Sequence, residues 1–103
     1  MPCYYIKITG AVFKTGFRYY LKAKADFSGV TGMVFYEHDK SVGVIASGCE
    51  EKINKFLKYC KVSFSPVQID KPKIIEILHQ EFSSFEVVDK KPELSDLLND
   101  GSQ

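Results

Sequence analysis

The feature that most constrains the fold is a pair of helical patterns, each enclosed by segments of β-strand composition. Phe17, Leu21 and Ala25 recur at intervals of four residues, which predicts an amphipathic helix over 17–27. A second apolar stripe predicts a helix over 49–61 and consists of Cys49, Ile53, Phe56, Leu57 and Cys60. Glutamates at the start of this second helix and lysines toward its end suit the helix dipole.

Five segments rich in β-branched and aromatic residues surround these helices, and they lie at 4–9, 30–36, 41–46, 73–78 and 85–88. The second and third are separated by four polar residues, which predicts a hairpin. The resulting order, β-α-β-β-α-β with a short terminal strand, is typical of the split βαβ or ferredoxin-like arrangement. We predict an α+β sandwich, in which an antiparallel sheet carries both helices on one face.

The domain is expected to occupy residues 1–88, followed by a polar C-terminal tail over 89–103. We expect the tail to be loosely held, with at most a helical turn at 93–98. A chain of 103 residues is long enough for one hydrophobic core without disulfide or metal support.

Composition and charge exclude several classes of protein. A net charge of +1 argues against a dedicated nucleic-acid binder. No apolar run approaches the roughly 20 residues that span a bilayer, and the N-terminus lacks a signal-peptide pattern. The cysteines, Cys3, Cys49 and Cys60, are odd in number and widely spaced, which indicates reduced, mostly buried thiols rather than disulfides or a zinc site. We therefore expect a cytoplasmic protein without a membrane span or a zinc site. We also expect it to be a monomer without a cofactor.

The segment GAVFKTGFRYY, residues 10–20, joins the first predicted strand to the first predicted helix. A loop that ends at a helix N-terminus presents backbone N–H groups and the positive end of the helix dipole to an anion. Arg18 adds planar donors that fit phosphate, Lys14 adds positive charge, and Gly16 permits a positive φ. These features predict a phosphate or carboxylate cradle made of Phe13, Lys14, Thr15, Gly16, Phe17 and Arg18.

Taken alone, the short glycine motif favours a plainer interpretation, in which Gly16 only makes a turn and Arg18 is a solvated residue of the first helical turn. Neither the GxxxxGK(S/T) motif of nucleotide-binding P-loops nor the GxGxxG motif of dinucleotide-binding folds is present.

The same segment resembles the signature of the acylphosphatase family, which runs roughly Gly-x-Val-Gln-Gly-Val-Gly-Phe-Arg. The matching residues are Gly10, Val12, Gly16, Phe17 and Arg18. The resemblance extends in the correct order over residues 4–88, through Tyr19-Tyr20, Gly32-Met33-Val34, Asp39-Lys40-Ser41-Val42, Gly48 and the closing segment Phe82 to Val87.

This resemblance implies a small cytoplasmic enzyme that hydrolyses acyl phosphates to a carboxylate and phosphate without a metal. It also implies that the loop amides and Arg18 hold the phosphoryl group, while an asparagine on the second strand positions the attacking water. Such chemistry depends on positioning and charge stabilisation more than on covalent steps.

The chain departs from the family pattern at two places. Phe13, Lys14 and Thr15 replace the family's Gln-Gly-Val, so a lysine stands where a glycine is expected. An ungapped alignment puts Tyr36 at the position of the asparagine. A phenol, with a pKa near about 10, is a poor general base at neutral pH and lacks the carboxamide's geometry. We predict a surviving cradle with impaired water positioning, an explanation that requires Tyr36 to lie near Arg18.

Two functional hypotheses follow: a hydrolase of acyl phosphates, or a non-catalytic phosphate- or anion-binding domain of the same fold. The neighbour Glu37 reaches the site only in a different hairpin register, because adjacent strand residues face opposite ways. Glu37-His38-Asp39 is expected to be a solvated turn rather than a metal cluster, and His79 a structural or surface residue.

An RNA-binding domain of the RRM type is disfavoured although its β-α-β-β-α-β order is the same. The KTGFRY segment resembles its RNP1 motif in combining basic, glycine and aromatic residues. RNP1, however, lies on the third strand, whereas KTGFRY leads into the first helix, and SVGVIA on the third strand carries no aromatic residue.

Overall fold

A computed structural model describes residues 2–61, 69–89 and 91 of the chain. Its elements in chain order are β1 (Cys3–Ile8), α1 (Phe17–Ser28), β2 (Thr31–Tyr36), β3 (Val42–Ser47), α2 (Glu50–Cys60), β4 (Lys73–Ile77) and β5 (Phe85–Val87). The predicted order of helices and strands is confirmed, and no predicted end differs from the observed one by more than one residue. The helical turn expected at 93–98 lies outside the described residues.

The five strands form one sheet in the order β4-β1-β3-β2-β5. β1 pairs antiparallel with β3 and β4, and β2 pairs antiparallel with β3. The terminal strand β5 instead runs parallel to β2, so the sheet is mixed rather than purely antiparallel. Strand composition does not encode direction, and the long connection before β5 allows it to enter along the outer edge of β2.

Both helices pack on one face of the sheet, as predicted, and enclose the main core. Every residue of β3 is buried, which accounts for its nearly continuous run of small and branched side chains. The core combines strand and helix residues, chiefly Ile6, Ile8, Phe17, Leu21, Ala25, Val34, Val44, Ile53, Phe56, Cys60 and Phe85.

Two of the three cysteines are buried, and none forms a disulfide. Burial raises the pKa of the Cys60 thiol to about 12, so this thiol stays protonated at physiological pH. Cys49 was expected in the apolar stripe of the second helix, but it precedes α2 as the N-cap residue and is exposed. The stripe begins one turn later, at Ile53, because the helix itself begins at Glu50.

The opposite face of the sheet carries a smaller buried cluster with a polar centre. Its apolar members are Cys3, Tyr5, Phe35, Ile45 and Ile77. Among them the buried carboxylate of Glu37 accepts a hydrogen bond from the Tyr5 hydroxyl and lies 2.5 Å from the Lys91 ammonium. Burial, reinforced by the hydrogen bond to Glu37, raises the pKa of Tyr5 above its usual value.

Glu37 therefore faces away from α1, as strand alternation requires. The predicted boundary between domain and tail, after residue 88, stays a prediction. Beyond it, Lys91 contacts the domain through Glu37. No helix among residues 2–61 and 69–89 is long and apolar enough to cross a bilayer.

Replacing Lys91 with methionine is expected to lower the free energy of unfolding by about 2 kcal/mol, since it leaves the Glu37 carboxylate buried without its cation. The double variant Glu37→Gln/Lys91→Met should recover most of that loss, because a neutral amide needs no counter-charge. Urea denaturation measures both, with the exposed lysine variant Lys71→Met as the control. Equal stability of Lys91→Met and the control would contradict a stabilising ion pair between Lys91 and the buried Glu37 carboxylate.

Candidate active site

The loop between β1 and α1 is folded by its own backbone. The Val12 N–H donates to the Gly10 carbonyl at 2.9 Å, and the Thr15 hydroxyl donates to the Val12 carbonyl at 2.8 Å. Gly16, with φ of 84°, precedes the first turn of α1, a backbone conformation that glycine adopts without a steric cost. Gly16 has no side chain with which to cap this helix end, and no acidic residue lies in its first turn to offset the positive end of the helix dipole.

Arg18 lies just inside α1 and is held by aromatic rings and by the segment after β5. Its guanidinium carbon is 4.2 Å from the centroid of the Tyr36 ring, and its Nη1 donates to the Val88 carbonyl at 3.4 Å. The Asp89 carboxylate is 3.8 Å from the same Nη1 and is fully exposed, so its attraction is weakened by solvent. The Arg18 Nε is buried and has no hydrogen-bond partner within the described part of the chain.

Tyr36, the last residue of β2, reaches the loop from the sheet. Its hydroxyl accepts a hydrogen bond from the Lys14 backbone N–H at 2.6 Å, and its ring contacts Phe13 with 4.7 Å between centroids. The requirement that Tyr36 lie near Arg18 is thus met. The phenol also occupies one of the backbone donors that the sequence assigns to anion binding.

These side chains surround a cavity of about 410 Å³, called here the cradle cavity, whose lining consists of Phe13, Lys14, Gly16, Arg18, Tyr19 and Tyr36. Two residues of the predicted set lie elsewhere. The Phe17 side chain is fully buried in the core, and Thr15 lines a neighbouring cavity of about 390 Å³. Their contribution to a cradle is restricted to backbone groups and loop shape.

Tyr19 is 61% exposed and lines the cradle cavity. Its ring centroid is 5.6 Å from the Arg18 guanidinium carbon. The helical pattern contains the signal for this placement, because the position after Arg18 falls off the buried stripe.

The Glu37-His38-Asp39 segment was expected to be a solvated turn, which is wrong for Glu37, because its carboxylate is buried against Tyr5. His38 is exposed, and Asp39 contacts Ser41 and Lys7. His79 lies at the surface, as one of the two predicted placements has it. Within the described residues no group of three or more histidine, cysteine or carboxylate side chains is placed to hold a metal ion.

Lys14 has φ of 58°, the left-handed conformation that a glycine adopts more readily. Lys14→Gly is therefore expected to raise the free energy of unfolding by about 0.5–1 kcal/mol. The control Lys24→Gly, inside α1, should lower it by about 1 kcal/mol through loss of helix propensity. Thermal and urea unfolding measure both changes. A destabilised Lys14→Gly would show that the lysine side chain makes contacts stronger than the backbone strain.

Comparison with known proteins bears on the family and the fold. The family model described as Acylphosphatase matches residues 4–87. An acylphosphatase of Aliivibrio fischeri is 32% identical over 84 residues, which cover 82% of this chain and 93% of the relative. The chain belongs to the acylphosphatase family. An acylphosphatase of Pseudothermotoga lettingae is also 32% identical, over 88 residues that cover 85% of this chain and 99% of the relative.

The crystal structure of acylphosphatase from Bacillus subtilis superimposes with a TM-score of 0.80 at 27% identity, covering 85% of this chain and 99% of that one. The fold and the family expected from the loop signature are thereby confirmed, and the chain is an acylphosphatase-like hydrolase. The roles of individual residues in the cradle cavity stay predictions.

Proposed function

We propose that the chain hydrolyses acyl phosphates in the cradle cavity, with Arg18 holding the phosphoryl group. The observation that carries the proposal is the buried Arg18 Nε, a charged donor for which the described residues supply no acceptor. A buried donor left unpaired is costly, and an oxygen of a bound phosphoryl group would satisfy it. The uncapped N-terminus of α1 adds further positive potential at the same place.

In this proposal water attacks the phosphorus, the bond from phosphorus to the acyl oxygen breaks, and a carboxylate leaves. The leaving carboxylate needs no proton at neutral pH, and the protons of the attacking water pass to the phosphate product and to solvent. Because water attacks the phosphorus directly, no side chain of the site needs to form a covalent bond with the substrate. Their contribution is to orient the phosphoryl group and to stabilise its charge as the bond breaks.

Tyr36 is the reason to expect slow turnover. A carboxamide can accept a hydrogen bond from the attacking water and donate another at the same time, whereas the Tyr36 hydroxyl already accepts a hydrogen bond from the Lys14 N–H. The same contact favours the second candidate function, a non-catalytic anion-binding domain. In both cases a bound phosphoryl group competes with the phenol for the loop amide.

The direct test is hydrolysis of benzoyl phosphate at near-neutral pH in the presence of EDTA, with the monoester phenyl phosphate as the control substrate. We expect benzoyl phosphate to be hydrolysed faster than in buffer alone and phenyl phosphate to be left intact. Binding of inorganic phosphate without hydrolysis would favour the non-catalytic domain. If the protein neither hydrolyses benzoyl phosphate nor binds inorganic phosphate, the loop is not an anion-binding cradle.

We also propose that the protein acts as a cytoplasmic monomer on a small molecule and not on nucleic acid. Free thiols at all three cysteines and a net charge of +1 support this. Sedimentation at micromolar concentration tests the monomer, since a dimer would sediment at twice the mass.

A further inference from the structure

The described residues include two non-glycine positions with positive φ, and both are lysines. Lys14 has φ of 58° and Lys40 has φ of 69°. Glycine fits such a backbone better than lysine, and the acylphosphatase pattern that the sequence resembles has glycine at the position of Lys14. The presence of lysine at both positions directs attention to what the two side chains do.

Both lysine side chains extend to the same aromatic ring. The Lys14 ammonium lies 5.5 Å from the centroid of the Phe13 ring, and the Lys40 ammonium lies 5.2 Å from it. Phe13 is the wall shared by the cradle cavity, which Lys14 lines, and the neighbouring cavity, which Lys40 lines. Two positive charges therefore lie within about 5.5 Å of the centroid of one partly exposed ring, beside the predicted phosphoryl site.

Neither ammonium is paired with a carboxylate of residues 2–61, 69–89 or 91. The acidic side chain of the neighbouring cavity, Asp39, is already engaged. Its Oδ1 accepts from the Ser41 N–H at 3.0 Å and hydroxyl at 2.6 Å, and its Oδ2 lies 3.0 Å from the Lys7 ammonium. These contacts, led by the Ser41 hydroxyl, hold the pKa of Asp39 well below its usual range. Lys14 and Lys40 thus keep their charge available to a ligand.

We propose that Lys14 and Lys40 form a second anion subsite, so that the preferred substrate is an acyl phosphate whose acyl group carries another anionic group, a carboxylate or a phosphate. An acyl group that leaves the cradle cavity across Phe13 brings such an anion between the two ammonium groups. Lysine binds either anion as a point charge, without the fixed geometry of arginine. The inference rests on the proposed function, because it takes the phosphoryl group to be bound at Arg18.

Equilibrium binding of stable aryl phosphonates tests the subsite without turnover. Phenylphosphonate, 4-carboxyphenylphosphonate and 1,4-phenylenediphosphonate share one ring and differ in the second anion, which also separates carboxylate from phosphate recognition. Calorimetry would compare wild type with Lys14→Gly and Lys40→Gly, both of which remove an ammonium while relieving backbone strain. The control variant is Lys55→Gln. In wild type the Lys55 ammonium also lies over an aromatic ring, 4.3 Å from the centroid of Phe27 at the far end of α1.

We expect wild type to bind 4-carboxyphenylphosphonate or 1,4-phenylenediphosphonate, which carry a second anionic group, about tenfold more tightly than phenylphosphonate. Each glycine variant should reduce that preference about threefold. The preference should shrink as salt is added, and Lys55→Gln should leave it unchanged. An equal preference in wild type, Lys14→Gly and Lys40→Gly would overturn the subsite. Failure of all three phosphonates to bind wild type would overturn both the subsite and the cradle.

Turnover distinguishes the two proposals. Preferential binding that depends on Lys14 and Lys40, together with no hydrolysis of benzoyl phosphate, would uphold the subsite and reject the catalytic function. Hydrolysis of benzoyl phosphate with no preference for the phosphonates that carry a second anionic group would uphold the catalytic function and reject the subsite.

Discussion

Arg18→Ala is expected to lower kcat/KM for benzoyl phosphate by about 10³-fold or more. Arg18 lines the cradle cavity and carries planar cationic donors, and loss of a comparable donor in phosphoryl or acyl transfer lowers rates by factors of this order. The affinity for inorganic phosphate should fall as well, because the interaction exists in the ground state too. Steady-state kinetics and phosphate titration measure the two effects separately.

Arg18 also joins α1 to the segment after β5, so a structural loss must be distinguished from a chemical one. Lys22, one turn further along α1, donates to the Phe85 carbonyl at 2.9 Å and offers a matched control that lies outside the cradle cavity. Lys22→Ala removes a similar tether and should change kcat/KM less than about threefold. Arg18→Lys keeps the charge without the planar donors, so its kcat/KM should lie between those of wild type and Arg18→Ala. Arg18→Ala with more than a tenth of wild-type activity would exclude Arg18 as the phosphoryl ligand.

Tyr36→Asn is expected to raise kcat for benzoyl phosphate by about ten- to a hundredfold. The substitution has two effects, since it removes the hydroxyl that occupies the Lys14 N–H and supplies a carboxamide able to orient water. It also removes the ring on which the Arg18 guanidinium lies, so KM for the substrate is expected to rise modestly.

Tyr36→Phe separates these effects. It keeps the ring beneath Arg18 and frees the Lys14 N–H, but it supplies no carboxamide. Tighter phosphate binding with unchanged kcat is the expected result. Equal kcat in Tyr36→Asn and Tyr36→Phe would show that water positioning is not what limits the natural chain.

The order and type of the elements could be predicted because each is encoded locally. The four-residue recurrence of Phe17, Leu21 and Ala25 lies in α1, and all three side chains are buried there. The direction of β5 could not be predicted, since three residues of strand composition are compatible with either orientation. The contact between Glu37 and Lys91 was equally inaccessible, because the two residues are far apart in sequence and neither lies in a recognisable motif.

Much of the candidate site was predictable for a topological reason. In this arrangement the start of α1 and the end of β2 meet at one end of the sandwich, which brings Arg18 to Tyr36. The convergence of Lys40 on Phe13 was not predictable, because it depends on side-chain direction in a hairpin turn. The burial of Phe17, by contrast, follows from the apolar stripe of α1, although the loop motif assigned this residue to the cradle.

The position of β1 inside the sheet, rather than at its edge, has a consequence for the synthesis of the chain. β1 is made first, yet it lies between β3 and β4, and β4 begins only at Lys73. A nascent chain that has not reached this residue can pair β1 on one side only, so the other edge exposes backbone donors and acceptors. Pairing over such sequence distances is slow. Strand order, more than chain length, thus sets the stage of translation at which the nascent chain is most exposed to aggregation or to capture by chaperones.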